Sequence, residues 1–407
     1  MSETKPSVNP LLSAEIAPLM QRLTWPVLGG MLTLMSFNLV DTFFISLLGT
    51  DQLAAISFTF PVTFMIISLA IGLSIGTSAL IAKALGAGAT ESAKADSLAA
   101  LWLSALLVTI LALLTALFLK PLFTLLGAPA AIQHYIDDYM LVWLAGSVLL
   151  VTPMIGNAIL RAAGETKIPS LVMASGGLVN AVLDPLLIFG LGPFPELGMQ
   201  GAALATVISW LTGFLFILYW LSVKRGLLDR IWLPVPIMLG IWRRILHIGL
   251  PAAAANMLTP VAMAILTAIM ASYGPQAVAA LGVGMRLESI ACLVVLALSM
   301  TLPPVVSQNF GAGQLGRVQQ AYLTCCHFVL KWQAAVYLLL ALLASNAIAM
   351  LFLQRTGSLI HPLSRSFSLE RLGIAHHTAI DLTPSETAHL LAGMSTEDTR
   401  FWIGPTP

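Results

Sequence analysis

Nine long apolar stretches divide the first 353 residues of the chain, and short connectors with glycine, proline or charged residues separate them. Each stretch has the 20 or so residues that an α-helix needs to cross a bilayer. Transmembrane β-strands are about half as long and alternate in polarity, so the pattern predicts helices. The predicted spans cover residues 23–48, 53–82, 97–119, 135–160, 168–191, 201–223, 245–272, 277–306 and 327–353.

The composition excludes a water-soluble globular protein. Of the 407 residues, 58% are hydrophobic and 9% are charged, whereas soluble domains carry about 25% charged residues. The net charge is +1, and the chain has no basic block large enough to bind nucleic acid. Three cysteines in apolar context predict no disulfide framework. The chain is therefore predicted to be an all-α polytopic membrane protein that contacts the lipid bilayer and no nucleic acid.

The N-terminal region predicts a retained first helix. Its first eleven residues are polar, and the apolar run from Leu23 to Leu48 is too long for the core of a cleaved export signal. We therefore expect this run to stay in the membrane.

Lysine and arginine residues fall almost entirely on one side of the predicted membrane. Connectors on that side hold twelve of them, and the other connectors hold only Lys120. By the positive-inside rule, this places the N-terminus in the cytoplasm, for a multi-pass protein of a bacterial-type inner membrane. The twelve are Lys5, Arg22, Lys83, Lys94, Arg161, Lys167, Lys224, Arg225, Arg230, Arg243, Arg244 and Arg317.

Two segments at a fixed offset along the chain resemble each other without a gap. Residues 49–88 begin GTDQLAAIS and end AKALGAG, and residues 274–313 begin GPQAVAALG and end SQNFGAG. The same offset pairs Pro26 with Pro251. The shared register, proline and GAG ending indicate two homologous bundles, an architecture that many transporters use. Because the first copy has six spans, an even number, the two copies are predicted to run parallel.

The duplication divides the chain into predicted domains. Residues 1–18 form a cytoplasmic segment, 19–223 a complete six-helix bundle, 224–244 a basic cytoplasmic linker, and 245–353 the first three helices of a second bundle. Residues 354–407 form a polar tail with four of the seven histidines and no run of spanning length. The tail is either a soluble appendage or the product of a shifted reading frame. We prefer the second interpretation, because the composition changes inside a repeat rather than at its boundary.

Four stretches carry a resemblance to a known family. They are NLVDTFFISLLGTDQLAAIS (38–57), GNAILRAAGETKIP (156–169), NAVLDPLLIFG (180–190) and GMQGAALAT (198–206). Together they resemble the multidrug and toxic compound extrusion (MATE) family and, within it, the DinF-like branch. The resemblance covers about residues 15–353 and implies two six-helix bundles that form a V-shaped, cation-coupled antiporter for organic cations and drugs. The chain departs from the family by lacking half of the second bundle.

Ionisable side chains inside the predicted spans are few, and each is a functional hypothesis. Asp41 lies seven residues before the outer end of the first span, and Asp184 seven before that of the fifth. Both spans run outward, so the two carboxyl groups are predicted at one level, about 10 Å below the outer surface. Tyr139 lies at a similar depth. Asn180 shares a helix face with Asp184, and Asn38 shares one with Asp41.

The two aspartates suit proton coupling. A charged aspartate in the membrane costs about 2.5–3.5 kcal/mol, so the neutral acid is favoured there and a proton can be loaded and released. Two nearby carboxylates also repel each other and titrate as a coupled pair. The alternative is that both side chains only hydrogen-bond to neighbouring helices.

The family resemblance implies that Asp41, Tyr139, Asn180 and Asp184 line the coupling-cation site, with no enzyme activity and no cofactor. A proton and a cationic drug would then compete for the same negative charge. The residues leave the ion open between H⁺ and Na⁺, because Na⁺ at Asp41, Asn180 and Asp184 would also use carboxylates and neutral oxygens. No other metal is expected.

The remaining polar and proline candidates are weaker. Arg286 and Glu288 form a candidate polar site of the second bundle, although they are two residues apart and face different sides of a helix. Pro26 and Pro185 are hinge candidates, because each removes a backbone hydrogen bond from a helix that carries one of the two aspartates.

The sequence thus predicts a cation-coupled antiporter that exports organic cations and drugs by alternating access. A flippase for lipid-linked substrates, from the same wider superfamily, is an alternative, but Arg286 is the only basic residue in the middle of a span. A non-functional truncated remnant is another. An intramembrane aspartyl enzyme is disfavoured, because LVDTF and VLDPL lack the Tyr-Asp and Gly-x-Gly-Asp contexts of that group. The pattern leaves the substrate and the oligomeric state open.

Overall fold

The computed structural model describes residues 9–228 and 233–366, and these form helices joined by short turns. A 3₁₀-helix, Ala130–Ile132, leads into α6, and a π-helix, Trp220–Lys224, continues α8. The α-helices are α1 (Pro10–Ser13), α2 (Ile16–Ser46), α3 (Thr50–Gly86), α4 (Thr90–Leu117), α5 (Leu119–Leu125), α6 (Gln133–Ala162), α7 (Lys167–Ile188), α8 (Gly198–Tyr219), α9 (Val235–Ala271), α10 (Pro275–Gly311) and α11 (Leu315–Ser366).

Within the described ranges, eight helices are long and apolar enough to cross a membrane. They coincide with the first eight predicted spans, so the all-α, multi-pass membrane architecture is confirmed. The ninth predicted span, 327–353, lies inside α11. The side chains of residues 343–366 and all of residues 367–407 lie outside the described part of the chain.

Two predicted boundaries differ from the observed helix ends. α9 begins at Val235, inside the predicted linker 224–244, and α11 continues to Ser366, past the predicted end of the last span at 353. The 37 residues of α9 extend for about 55 Å, whereas the hydrocarbon core of a bilayer is about 30 Å thick. Hydropathy identifies only the part of a helix that lies inside the hydrocarbon. The predicted end of the linker at 244 therefore lies within α9, and the predicted start of the tail at 354 lies within α11.

The chain divides into two compact units between Val336 and Tyr337, and all features described below belong to the first unit. Within that unit, we call α2–α8 the first lobe. We call α9, α10 and the part of α11 up to Val336 the second lobe.

The core of the first lobe lies around α3 and α6. Apolar side chains such as Ile66 and Met140 are fully buried there. Small polar side chains are buried as well, and several of their hydroxyl groups bond within their own helix, as Ser147 does to a carbonyl three residues earlier at 2.7 Å. Apolar side chains on the outside, such as Leu113 and Leu117, are exposed. This distribution suits a protein whose outer surface contacts lipid and whose polar groups bond internally.

The two lobes meet through glycines at equivalent positions of the two sequence copies. A Cβ atom on Gly86 would overlap the carbonyl oxygen of Gln308, and a Cβ atom on Gly311 would overlap that of Lys83. The offset of the duplication pairs Gly86 with Gly311, and it also pairs Lys83 with Gln308. The contact of Gly86 with Gln308 is therefore repeated by the equivalent residues Gly311 and Lys83 from the opposite side of the interface, as contacts are repeated in a twofold-symmetric dimer. This reciprocity supports the predicted duplication with parallel copies.

The reciprocity extends to two further helix pairs. The hydroxyl groups of Thr24 and Thr301 lie 3.0 Å apart in a buried contact between α2 and α10. Their equivalents in the other copy are Gly249 and Gly76. A Cβ atom on Gly76 would lie 3.2 Å from the backbone nitrogen of Gly249, between α3 and α9. Small residues thus let both helix pairs approach closely, which is how helices associate where lipid removes the hydrophobic driving force.

We expect Gly86→Ala and Gly311→Ala to lower the melting temperature of the detergent-solubilised protein by similar amounts, because each inserts a methyl group into the same backbone contact. The control is Gly29→Ala in α2, where no atom lies within 4 Å of the new Cβ. That change should leave the stability unchanged or raise it by about 0.5–1 kcal/mol, because alanine favours a helix. A loss confined to one of the two interface glycines would contradict the reciprocal interface.

Candidate functional site

Four of the predicted site residues meet inside the first lobe. Asp41 comes from α2, Tyr139 from α6, and Asn180 and Asp184 from α7. Asp184 is fully buried, Tyr139 is 7% exposed, and one carboxyl oxygen of Asp41 is buried. Burial of two carboxyl groups in a membrane protein is costly unless they gain partners or protons.

A chain of hydrogen bonds connects α7 with α8. The side-chain amide nitrogen of Asn180 donates to a carboxyl oxygen of Asp184 at 3.0 Å and to the hydroxyl of Thr206 at 3.3 Å. Thr206 in turn donates to the carbonyl of Ala202 at 3.0 Å. Asn180 and Asp184 are one helical turn apart, as their spacing predicted.

Thr206 belongs to this cluster, although the sequence reasoning did not single it out. It ends the GMQGAALAT stretch, near the start of an inward-running helix. Depth along the helix, the argument used for Tyr139, could have identified it. A threonine in a membrane helix usually bonds to its own backbone, so its type alone gave no reason to choose it.

The carboxyl groups of Asp41 and Asp184 lie within hydrogen-bonding range of each other. Asp41 Oδ1 and Asp184 Oδ2 have no hydrogen-bond donor among the described residues. An ionised carboxylate only accepts hydrogen bonds, whereas a protonated one also donates one. A single proton on the pair would therefore supply the missing donor and join the two groups.

Aromatic rings flank the polar cluster along the helices. The Tyr139 side chain lies close to both carboxyl groups. About one turn beyond the aspartates, near the ends of α2 and α7, the rings of Phe44 and Phe189 meet edge to face with centroids 6.4 Å apart. One turn away on the opposite side, Trp143 and Trp210 do the same at 5.3 Å. The polar cluster thus lies between two pairs of packed aromatic rings.

The close approach of α2 and α7 brings the two aspartates together. A Cβ atom on Gly30 of α2 would lie 3.1 Å from the Cα of Ser170 on α7. A Cβ atom on Gly177 of α7 would overlap the ring of Phe37 on α2. Side chains larger than hydrogen at these two glycines would separate the helices or move Phe37. The geometry of the carboxyl pair therefore depends on small residues elsewhere in the same helices.

Both hinge candidates lie inside the helices of this site. Pro26 is in α2, and Pro185 follows Asp184 directly in α7. Pro185 has no backbone N–H, so the carbonyl of Ala181 lacks its usual helical donor. The hinge role of both prolines stays a prediction.

The other polar candidates are not part of this cluster. Glu288 is exposed on α10, in the second lobe. The side chains of Arg286 and Asn38 lie outside the described part of the structure. The predicted site residues that the structure brings together therefore all lie in the first lobe.

Comparison with known families gives two consecutive matches to the family model MatE, over residues 26–186 and 251–369. The matches begin at Pro26 and Pro251, the two prolines that the predicted duplication pairs. The second match continues to residue 369, past the predicted boundary at 353.

Relatives and solved structures agree with this match. The FAD transporter of Shewanella oneidensis is 45% identical over 334 residues, which is 82% of this chain and 74% of that protein. The probable multidrug resistance protein YoeA of Bacillus subtilis is 28% identical over 323 residues, 78% of this chain and 68% of that protein. The crystal structure of the Vibrio cholerae MATE transporter VcmN in the bent form has a TM-score of 0.75 and 36% identity, and covers 80% of this chain and 73% of that one.

We expect Gly177→Ala to lower both the melting temperature and the transport rate, because the new methyl group overlaps the Phe37 ring and moves α2 away from α7. Gly176→Ala is the matched control, since the nearest atom to its Cβ position is the Ser209 hydroxyl at 3.5 Å, an ordinary contact. The double variant Gly177→Ala, Phe37→Leu should recover part of the loss. Equal effects of the two glycine variants would contradict a role of helix approach in this site.

Proposed function

Because the chain belongs to the multidrug and toxic compound extrusion family, we propose that it is a cation-coupled antiporter whose coupling ion binds at Asp41 and Asp184. Members of this family are transporters rather than enzymes, and the relatives include multidrug exporters. The single observation that carries the proposal is the pair of neighbouring carboxyl groups, each with a buried oxygen that lacks a donor among the described residues.

A proton is the coupling ion that this site favours. The amide nitrogen of Asn180, rather than its oxygen, faces Asp184. An N–H group stabilises a carboxylate but cannot coordinate Na⁺. One proton on the pair would satisfy both unpartnered oxygens without further ligands.

The charge state of the pair couples ion binding to helix movement. With one proton, the carboxyl groups hydrogen-bond to each other and hold α2 against α7. Without it, two negative charges repel each other across a site of low dielectric. Pro26 and Pro185 lie in these two helices and lower their resistance to bending, because each lacks one backbone hydrogen bond. Proton release thereby changes the shape of the first lobe.

The burial of Asp184 separates this carboxyl group from the substrate. Asp184 has no exposed surface, so a drug-sized molecule cannot contact it in this conformation, whereas Asp41 is partly exposed. For Asp184 we therefore propose indirect coupling rather than direct competition for its negative charge: protonation changes the shape of the first lobe, and that change alters the path of the substrate.

The orientation follows from the distribution of charge. Lys83, Lys94, Lys167 and Arg317 all lie near helix ends on the face where α2 begins and α3 ends. By the positive-inside rule this face is cytoplasmic, and we place the protein in the inner membrane with export directed away from that face.

Two substrate classes are candidates. The similarity to proteins named as multidrug exporters supports organic cations and drugs as substrates. A flavin nucleotide follows from the 45% identity to a protein named FAD transporter. FAD carries negatively charged phosphates and would not replace a proton at two aspartates, so it is compatible only with the indirect coupling described above.

We expect Asp41→Asn and Asp184→Asn each to abolish ethidium efflux from cells that lack their own pumps, because an amide cannot take up and release a proton. The control is Asp51→Asn, which removes an exposed carboxylate from the first turn of α3 and should leave efflux unchanged. Efflux that persists in both site variants, with membrane insertion verified, would refute the assignment of the pair.

We expect purified protein in proteoliposomes to drive transport with an imposed pH gradient and not with a Na⁺ gradient. Parallel assays with ethidium and with FAD would identify the substrate class, and Asp184→Asn should stop transport of either one. Transport that follows Na⁺ at constant pH would contradict proton coupling. Transport of FAD alone would exclude the organic cations.

A further inference from the structure

The segment before the first spanning helix lies between the two lobes. Its residues 9–14 include α1, and the side chain of Leu11 is 2% exposed. On the first-lobe side, Leu11 packs against Gly164 in the turn between α6 and α7, where a Cβ atom would lie 3.0 Å from Leu11 Cδ1. On the other side, the segment contacts α10 of the second lobe.

Three side chains of the second lobe hold this segment by hydrogen bonds. Asn309 donates to the carbonyl of Leu11 at 3.0 Å, and Arg317 donates to the carbonyl of Ala14 at 2.7 Å. Arg317 also donates to the Asn309 side chain at 3.0 Å, which fixes the amide orientation. The Asn9 side chain donates to Gln308 at 2.8 Å.

Gln308 extends the contact to the first lobe itself, because its side-chain nitrogen donates to the carbonyl of Ala162 at the end of α6 at 2.6 Å. Gln308 is 1% exposed and Asn309 is fully buried. Parting the lobes would break these bonds and leave buried polar groups without partners until water reached them. Polar contacts of this kind favour two distinct states, closed and fully open, over intermediate ones.

The duplication does not require this arrangement. The residues of the first copy that are equivalent to Gln308, Asn309 and Arg317 are Lys83, Ala84 and Ser92. Lys83 lies over the ring of Phe310 at 5.3 Å instead, and alanine has no polar side chain. The set of Gln308, Asn309 and Arg317 is therefore an addition to the symmetric interface and not a consequence of it.

Two further polar contacts join the lobes at the same face. Arg244 of α9 lies 3.3 Å from the buried carboxyl group of Asp96 on α4, and Trp242 donates to the carbonyl of Ala99 at 2.8 Å. Both contacts join the second lobe to the first. They lie at the face where α4 and α9 begin, which is the face that holds residues 9–14.

We propose that residues 9–14, held by Gln308, Asn309 and Arg317, form a latch that keeps the lobes closed at this face and is released each time the transporter opens there. The proposal rests on alternating access as part of the proposed function. In this proposal the latch sets the balance between the conformations that are closed and open at this face, and it does so independently of the carboxyl pair.

The reporter for this balance is Thr301→Cys in a chain whose three native cysteines are replaced by serine. Thr301 is 1% exposed at the lobe interface, so the thiol should react with a maleimide only when the lobes part. We expect Arg317→Gln to raise the reaction rate roughly tenfold, because a hydrogen bond to a charged group is lost. Asn9→Ala, a milder change, should raise the rate in the same direction.

The matched control is Arg225→Gln. Arg225 pairs with Glu165 inside the first lobe, on the same face of the membrane, so its loss should leave the Thr301→Cys reaction rate unchanged. Equal rates in the parent, Arg317→Gln and Asn9→Ala chains would overturn the latch. Equal increases in Arg317→Gln and Arg225→Gln would overturn it as well, since they would indicate general loosening. The readout needs no substrate, so it stands apart from a failure of the antiport proposal.

Release during transport is tested by joining Asn9→Cys and Gln308→Cys with a short cross-linker that a reductant cleaves. We expect the cross-link to stop transport and the reductant to restore it. The control pair is Asp138→Cys and Gln200→Cys, whose native side chains also bond at 2.8 Å but join α6 and α8 within one lobe. Full transport with the Asn9–Gln308 cross-link in place would overturn release of the latch.

Discussion

Two carboxyl groups that share one buried site impose the main physical constraint on this structure. In the interior of a membrane protein, an unpaired charge is expensive and every polar group needs a partner from the protein itself. Asp41 and Asp184 satisfy this requirement only in part, because one oxygen of each lacks a donor among the described residues. A proton on the pair would supply the missing donor, which is the basis of the proposed coupling site.

Close helix approach serves both the site and the lobe interface. Gly30 and Gly177 bring α2 and α7 together so that the aspartates meet, and Gly86 and Gly311 bring the lobes together. In each case the absence of a side chain, rather than the presence of one, determines the distance. Without a hydrophobic force between helices in lipid, such backbone contacts and the hydrogen bonds near them supply the association energy. Because the helices are in close backbone contact, a shift of α2 or α7 at the carboxyl pair displaces the helices packed against them.

The two lobes share a backbone plan but differ in their polar groups. The carboxyl pair lies in the first lobe, and Gln308, Asn309 and Arg317 belong to the second. In the proposed function, this symmetric scaffold with asymmetric polar contacts would let the first lobe respond to an ion and transmit the change to the interface with the second lobe. This division explains why the duplication was visible in the glycines and prolines of the sequence, whereas the site residues were not repeated in it.

The membrane architecture, the helical spans and the duplication could be predicted from the sequence, because hydropathy, helix length and a fixed offset are properties of the chain alone. The sequence also predicted that Asp41 and Asp184 share one depth with Tyr139 close to it, and that Asn180 shares a helix face with Asp184, since the rise per residue gives height and the helical period gives the face. Height does not give rotation about the helix axis or the neighbours of a helix. The contact between the carboxyl groups, the part played by Thr206 and the hydrogen bonds to residues 9–14 therefore came only from the tertiary structure. The ends of α9 and α11 were missed for a related reason, because a helix continues past the hydrocarbon that hydropathy detects.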